Sequence, residues 1–135
     1  MDTNVLVAGL RSRAGASHEL LRLLRAGKWT LVLSNTVLGE YHEVLHRERA
    51  ALKLTPADAD AYLDVVCALA EQRALNSPWQ PVATDPDDEP IVQLAREAKV
   101  PYLVTHNVQD VRGAAQFGVR VVRPAEFLDL LRKAL

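Results

Sequence analysis

The stretch "PYLVTHNVQDVRGAAQFGVRVV", Pro101–Val122, carries the pattern that decides the fold class. The runs "PYLVT" and "VRVV" are short, apolar and rich in β-branched residues, which is typical of buried strands. Between them, "VQDVRGAAQFG" predicts a short helix, and "PAEFLDLLRKAL" after them predicts a closing helix. This order predicts parallel strands joined by a right-handed crossover.

The same alternation runs back to the N-terminus. We read "NVLVAGL" (4–10) as a buried strand and "WTLVLS" (29–34) as the next one. Further elements are predicted from apolar periodicity and caps, namely helices over 16–28, from Thr36 to about Ala51, over 54–75 and from about Asp87 to Lys99, and a short strand near Val82. The chain is therefore predicted to be one α/β domain, 1–135, with helices on both faces of a parallel sheet.

Composition narrows the function classes. The chain has 135 residues, one cysteine and a net charge of −1, so an internal disulfide is impossible and a reducing cytoplasm is the expected setting. No apolar run approaches the roughly 20 residues of a membrane span. The charge balance excludes a broadly basic nucleic-acid-binding surface and leaves room only for a local basic patch.

Polar side chains gather where the predicted strands end. They are Asp2, Glu40, the run Asp85, Asp87, Asp88 and Glu89, and Asn107 with Asp110. In open parallel sheets, ligands bind at the carboxyl ends of the strands. Clustered carboxylates suit Mg²⁺ or Mn²⁺, which take oxygen ligands and can activate water for phosphoryl chemistry. The sequence thus predicts a divalent-cation site.

Helix geometry sorts these acids. Glu40 falls at the edge of an apolar stripe on the helix from Thr36, where it can reach a cleft, while Glu43 points away. Asp87 and Asp88 both lie near the apolar side of the next helix, and angles do not choose between them. Asp87 is the better N-cap, which is a purely structural role.

The segment "HEVLH", His42–His46, is a literal H-E-x-x-H, a pattern that on a helix can bind zinc in peptidases. Its two histidines are predicted to lie opposite the apolar stripe, and no third ligand follows in an "HxxGxxH" continuation. The neighbouring Arg47 and Arg49 also disfavour a dication. A zinc peptidase is therefore disfavoured.

The segments "DTNVLV", "LSNTVLGEYHEVL", "TDPDDEPIVQLA" and "YLVTHNVQDV" together resemble the ordered motifs of PIN-domain ribonucleases. The branch most similar by eye is the VapC-like group of toxins from toxin–antitoxin pairs, and the resemblance covers essentially the whole chain. It implies a three-layer α/β/α sandwich with a central parallel sheet. It also implies an endoribonuclease that uses Mg²⁺ or Mn²⁺.

The resemblance assigns residues one by one. Asp2, Glu40 and Asp88 match the catalytic metal-binding acids, Asn107 matches a fourth position, and Asp110 is placed to assist. Small polar residues that commonly surround the metal match four positions, which are Thr3, Asn4, Ser34 and Thr105. Phosphate contacts are expected from nearby arginines, for which the candidates are Arg11, Arg13, Arg47, Arg49 and Arg112.

Two features depart from the family pattern. Asn107 is neutral, which weakens a second metal site. Only Met1 precedes Asp2, whereas the family normally has several strand residues there, so an α-amino group with a pKa of about 8 would place positive charge beside a metal ligand. We expect residues upstream of Met1 in the native chain or omitted from its numbering; a compromised site is the third alternative.

The resulting expectation is hydrolysis of single-stranded or looped RNA by a cytoplasmic homodimer with a small antitoxin partner. Two alternatives remain beside the zinc peptidase. A catalytically inactive PIN-fold module would keep the fold and bind RNA or an antitoxin. A receiver-type signalling module would need paired acids after the first strand and a lysine after a late strand, and the sequence has neither.

Overall fold

The computed structural model describes residues 1–75 and 88–134. These residues form an α/β fold of helices and short parallel strands. In chain order the elements are α1 (Thr3–Arg11), α2 (Ala16–Arg25), β1 (Val32–Leu33), α3 (Asn35–Glu48), α4 (Pro56–Leu69), β2 (Glu71–Gln72), α5 (Glu89–Glu97), β3 (Tyr102–Val104), a 3-10 segment (Val108–Phe117), β4 (Arg120–Val122) and α6 (Pro124–Ala134).

Local capping chemistry sets several helix ends where the sequence predicted them. The Thr55 hydroxyl accepts a hydrogen bond from the Asp58 backbone N–H, and the Asp58 carboxylate accepts one from the Thr55 N–H, so α4 begins with a capping box. The Ser34 hydroxyl caps α3 by accepting from the Val37 N–H at 3.2 Å. After α2, Gly27 adopts a left-handed φ of 76° that glycine tolerates at a helix end.

The prediction of a strand over "NVLVAGL" is wrong, because these residues form α1. Asp2 is its N-cap, and the consecutive residues Val5, Leu6 and Val7, about 100° apart around the helix, are all buried. A helix buried around most of its circumference shows an unbroken apolar run, which is also the pattern of a buried strand. Because α1 packs closely on α2, its apolar run does not show the periodicity of a half-exposed helix.

The predicted helix over 54–75 ends earlier, at Leu69, and a strand follows it. Ala70 turns to an extended conformation, and the Glu71 N–H donates to the Leu31 carbonyl at 2.8 Å. The two residues of β2 are exposed and polar, so they carry no apolar signal. These residues form a strand because they pair with β1, and the local sequence does not predict it.

The strands pair in parallel, as the strand–helix alternation predicted. β1 pairs with β2, and β3 pairs with β4 with Leu103 opposite Val121. In the described part these are two two-stranded pairs. The short helix predicted between β3 and β4 is a 3-10 segment that ends at Gly118, whose φ is 81°. The strand predicted near Val82 lies in 76–87, outside the described residues.

One apolar core joins the elements. It includes Leu6 of α1, Leu20 of α2, Tyr41 of α3 and Leu103 of β3, all almost fully buried. An apolar cavity of about 480 Å³ is lined by residues of both strand pairs and of α5. Within residues 1–75 and 88–134, no helix has the length and hydropathy needed to cross a bilayer.

Candidate metal-binding cleft

An open cleft of about 550 Å³ lies where α1, α3 and the start of α5 meet the chain after β3. Its lining contains four carboxylates and one guanidinium, those of Asp2, Glu40, Glu48 and Asp88 and of Arg11. The other lining residues are Thr3, Asn4, Val7, Ala8, Val44, His106 and Asn107. Four of the residues predicted at strand ends thus share one surface, although they are spread over more than a hundred positions of the chain; they are Asp2, Glu40, Asp88 and Asn107.

Asp2 is held at the floor of the cleft by hydrogen bonds to both carboxylate oxygens. Its Oδ1 accepts from the Thr3 N–H at 2.8 Å, and its Oδ2 accepts from the Thr105 hydroxyl at 2.7 Å. Its backbone N–H donates to the Val104 carbonyl at 2.8 Å, which attaches the residue to the end of β3. Because Asp2 is only 5% exposed, these bonds fix its orientation before any ligand binds.

Thr105 and Asn4 connect α1 with the chain that follows β3, next to Asp2. The Thr105 hydroxyl accepts from the Asn4 amide nitrogen at 3.3 Å and from the Asn107 N–H at 3.0 Å. The Asn4 amide oxygen accepts from the His106 N–H at 3.3 Å. These small polar residues therefore orient the first acid and the turn after β3, which is a supporting role.

Glu40 reaches the cleft from α3, as the helix geometry predicted. Val37, Tyr41 and Leu45 form the buried stripe of this helix, and Glu40 is partly buried at its edge, while Glu43 is exposed. Asp88 is the N-cap residue of α5, but its side chain makes no capping hydrogen bond. Asp88 is also one of the residues that line the cleft. The alternatives Asp85 and Asp87 lie outside the described residues.

Two polar lining residues, Glu48 and His106, were not predicted from the sequence. Glu48 lies two turns after Glu40 on α3, with Val44 between them, so the three residues form one stripe at intervals of four. The sequence spacing could therefore have predicted that Glu48 lies on the same side of α3 as Glu40. His106 follows Thr105, and its Nε2 is 3.1 Å from the Ser17 hydroxyl of α2. The position of His106 depends on this contact with α2, so the local sequence did not predict it.

Other predicted residues do not line the cleft. Asp110 lies in the first turn of the 3-10 segment, where its N–H donates to the Asn107 carbonyl at 3.1 Å. Ser34 is buried as the cap of α3. Arg13, Arg47 and Arg112 are exposed elsewhere, and of the candidate arginines Arg11 alone is among the lining residues.

Burial reduces the positive charge expected at the Met1 α-amino group beside Asp2. Burial lowers the pKa of the Met1 α-amino group to about 6, although the nearby Asp2 charge opposes that shift. An amine with this pKa is mostly neutral at pH 7. Burial of the α-amino group therefore lowers the share of molecules in which it opposes the charge of Asp2.

The donor set of the cleft fits a hard divalent cation. Carboxylate and amide oxygens are the ligands that Mg²⁺ and Mn²⁺ prefer, and the cleft gathers them from four separate elements. Thr3 is among the lining residues, and its hydroxyl oxygen is buried without a hydrogen-bond partner among the described residues. A buried orphan oxygen beside a fixed carboxylate is consistent with a cation or its water at this place.

The comparison with protein families gives one match. A profile of the PIN domain matches residues 1–109, which is most of the chain. Searches of curated proteins and of solved structures found no match. PIN domains are in general nucleases, they act on nucleic acids, and they typically use divalent metal ions. Since the match spans the four elements that build the acidic cleft, the chain belongs to the PIN-domain family.

Proposed function

We propose that this PIN domain is a Mg²⁺- or Mn²⁺-dependent endoribonuclease whose active site is the acidic cleft. The observation that carries the proposal is the convergence of Asp2, Glu40 and Asp88 on one cleft with the Asn107 amide beside them. Groups of like charge repel one another unless a cation or a strong hydrogen-bond network compensates them. A cation-binding role explains why three carboxylates from distant segments face the same space.

In this proposal Asp2, Glu40 and Asp88 hold the cation, directly or through water, and Asn107 offers a neutral oxygen ligand. The bound ion supplies positive charge for the phosphodiester and lowers the pKa of water at the site. Thr105 and the Thr3 N–H keep both oxygens of Asp2 oriented. Because Asp2 is bound on both oxygens, little reorganisation is needed when the ion and the substrate arrive.

The substrate class follows from charge and shape. An acidic cleft repels phosphates until a cation is bound, and Arg11 on its wall is the cation of the chain best placed to contact the backbone of RNA. Single-stranded or looped RNA can bend into an open cleft, whereas an A-form duplex is stiffer. Arg13, Arg47, Arg49 and Arg112 are proposed only as outer phosphate contacts, because they lie away from the lining.

We further propose the cellular setting that the motif resemblance implied. The chain would be one domain over 1–135 that acts in the cytoplasm as the toxin of a VapC-like toxin–antitoxin pair, working as a homodimer inhibited by a small antitoxin. The two parallel strand pairs border one apolar cavity. That arrangement supports a central parallel sheet in a three-layer α/β/α sandwich.

Cleavage of a generic single-stranded RNA, with Mg²⁺ and with EDTA, tests the proposal. We expect Glu40→Gln and Asp88→Asn to lose roughly 100-fold or more of the rate, as when one group that stabilises transition-state charge is removed. Glu43→Gln is the matched control, because Glu43 is an exposed acid on the same helix outside the cleft.

Two results would contradict this proposal, the first for the role of Asp88 and the second for nuclease activity as a whole. Full Mg²⁺-dependent cleavage by Asp88→Asn would remove that residue from the site. RNA binding by the wild-type chain without any metal-dependent cleavage would favour the inactive binding module instead. Folding of each variant is checked by circular dichroism, so loss of rate is not confused with loss of structure.

A further inference from the structure

A second cluster of metal-ligating side chains bridges two helices outside the acidic cleft. His42 and His46 of α3 and Asp60 of α4 each present a ligand atom, and these three atoms lie within 4.8 Å of one another. We propose that they form a binding site for a transition-metal dication, with Zn²⁺ as the reference ion. Such a site would clamp α3 to α4 through side chains that the nuclease proposal does not use.

The distances are close to those of a zinc site. The Nε2 of His46 is 2.7 Å from Oδ1 of Asp60, and the Nε2 of His42 is 3.8 Å from the same oxygen. Tetrahedral zinc ligands at about 2.0–2.2 Å from the ion are separated from one another by roughly 3.3 Å. One pair must therefore open and the other close by roughly half an ångström each, which rotamer adjustment supplies.

The backbone holds the ligands in register. His42 and His46 are four residues apart on α3, so their rings lie on one face, with centroids 4.4 Å apart. Asp60 lies near the start of α4, which is anchored by its capping box at Thr55. Since all three ligands stand on packed helices, binding orders only side chains, and its entropic cost is small.

The ligand chemistry selects the class of ion. Two imidazoles and one carboxylate suit Zn²⁺ and its neighbours such as Co²⁺ and Ni²⁺, whereas Mg²⁺ and Ca²⁺ prefer oxygen ligands alone. Three protein ligands leave a further coordination position, which water fills at an exposed site. The side chains of His42 and Asp60 are 63% and 59% exposed, so ion and water reach them freely.

The nearby arginines do not block the site, which removes an objection raised by the sequence. The Nη1 of Arg49 donates to the His46 carbonyl at 2.9 Å. The Nε of Arg47 is 3.8 Å from Oε1 of Glu48. Both guanidinium groups thus have partners other than the ligand atoms.

The site is independent of the acidic cleft. Glu40 and His42 are two residues apart on α3, so their side chains diverge by about 200° around the helix. None of the three ligands is among the residues that line the cleft. The zinc proposal therefore stands whether or not the chain cleaves RNA, and it needs no hydrolytic role for the "HEVLH" segment.

Zinc titration of the full chain, stripped of metal with EDTA and dialysed, tests the proposal. The variant Asp2→Asn/Glu40→Gln removes two acids of the acidic cleft. Calorimetry should still detect one zinc site in this variant. We expect His46→Gln and Asp60→Asn to weaken that site at least about tenfold. Asp64→Asn is the matched control, because Asp64 is an exposed acid one turn further along α4. It should bind zinc as the wild type does.

Thermal unfolding and Co²⁺ absorption give readouts that do not depend on activity. Zinc at about 100-fold excess over its Kd should raise the Tm of the wild type and of Asp64→Asn by roughly 5–10 °C, and should not raise that of His46→Gln. Co²⁺ should give the visible absorption of a low-symmetry four-coordinate site.

Three outcomes would overturn the proposal. The first is absence of zinc binding by the wild type at a zinc concentration of about 100 µM, which is high enough to fill even a weak site. The second is loss of all zinc binding in the cleft variant. The third is unchanged affinity in both His46→Gln and Asp60→Asn, which would leave the His46–Asp60 contact as a simple hydrogen bond between helices.

Discussion

Replacement of Thr105 by valine should destabilise the fold and loosen the first acid of the cleft. Thr105 is fully buried, and its hydroxyl donates to Asp2 and accepts from Asn4 and from the Asn107 N–H. Valine has nearly the same shape but no hydroxyl. All three partners therefore lose a hydrogen bond at once, and the buried carboxylate oxygen of Asp2 keeps none from this residue.

The expected cost can be worked from these contacts. A hydrogen bond to a charged group contributes about 1.5–3 kcal/mol, and a neutral one contributes about 0.5–1.5 kcal/mol. Because the Asn4 contact is long, at 3.3 Å, and such terms are not additive, we expect Thr105→Val to cost roughly 2–4 kcal/mol in total. In a domain of this size that lowers the Tm by about 10 °C.

Urea unfolding of Thr105→Val and Thr105→Ser checks the reasoning. Serine keeps the hydroxyl and loses one buried methyl group, which costs about 1 kcal/mol. The valine variant should therefore be the less stable of the two at pH 7. If the serine variant were the less stable, packing rather than hydrogen bonding would hold Thr105 in place, and the account of the Asp2 floor would be refuted.

Two further predictions concern helix packing and alkaline stability. Gly9→Ala should destabilise the protein by about 1–3 kcal/mol, because the new Cβ would lie 2.5 Å from Cδ1 of Leu21. Gly39→Ala should instead stabilise α3 by about 0.5–1 kcal/mol, because its new Cβ would meet nothing within 4 Å. Equal effects of the two substitutions on the free energy of unfolding in urea would contradict this packing. Burial raises the pKa of Tyr41 well above its ordinary value, and its hydroxyl donates to the Met1 carbonyl. The raised folded-state pKa contributes stability that is present below about pH 10, where the unfolded tyrosine ionises, and is lost as pH rises further. Tyr41→Phe should therefore lower the free energy of unfolding by about 1 kcal/mol at pH 7, and that free energy should fall less steeply above pH 10 than in the wild type. An unchanged fall above pH 10 would show that Tyr41 is not the group responsible.

Local sequence determined several helix ends and the side of α3 that faces the core. Thr55, Pro56 and Gly27 act through contacts within a few residues, so their effects could be read without the fold. The edge position of Glu40 also followed from the 3.6-residue period, because the buried stripe of α3 is marked by apolar side chains. The parallel pairing of strands followed from their alternation with helices.

Tertiary structure decided what depends on distant partners. Burial on several sides made α1 a helix where the apolar run resembled a strand, and pairing with β1 made a strand of the polar residues Glu71 and Gln72. The bond from Thr105 to Asp2 joins residues 103 positions apart, and Asp60 completes a cluster with histidines from another helix. Periodicity and caps report only a residue's own helix or strand, whereas these sites arise from contacts between elements. The sequence alone therefore predicts which side chains can act, and the packing of the helices decides which of them meet.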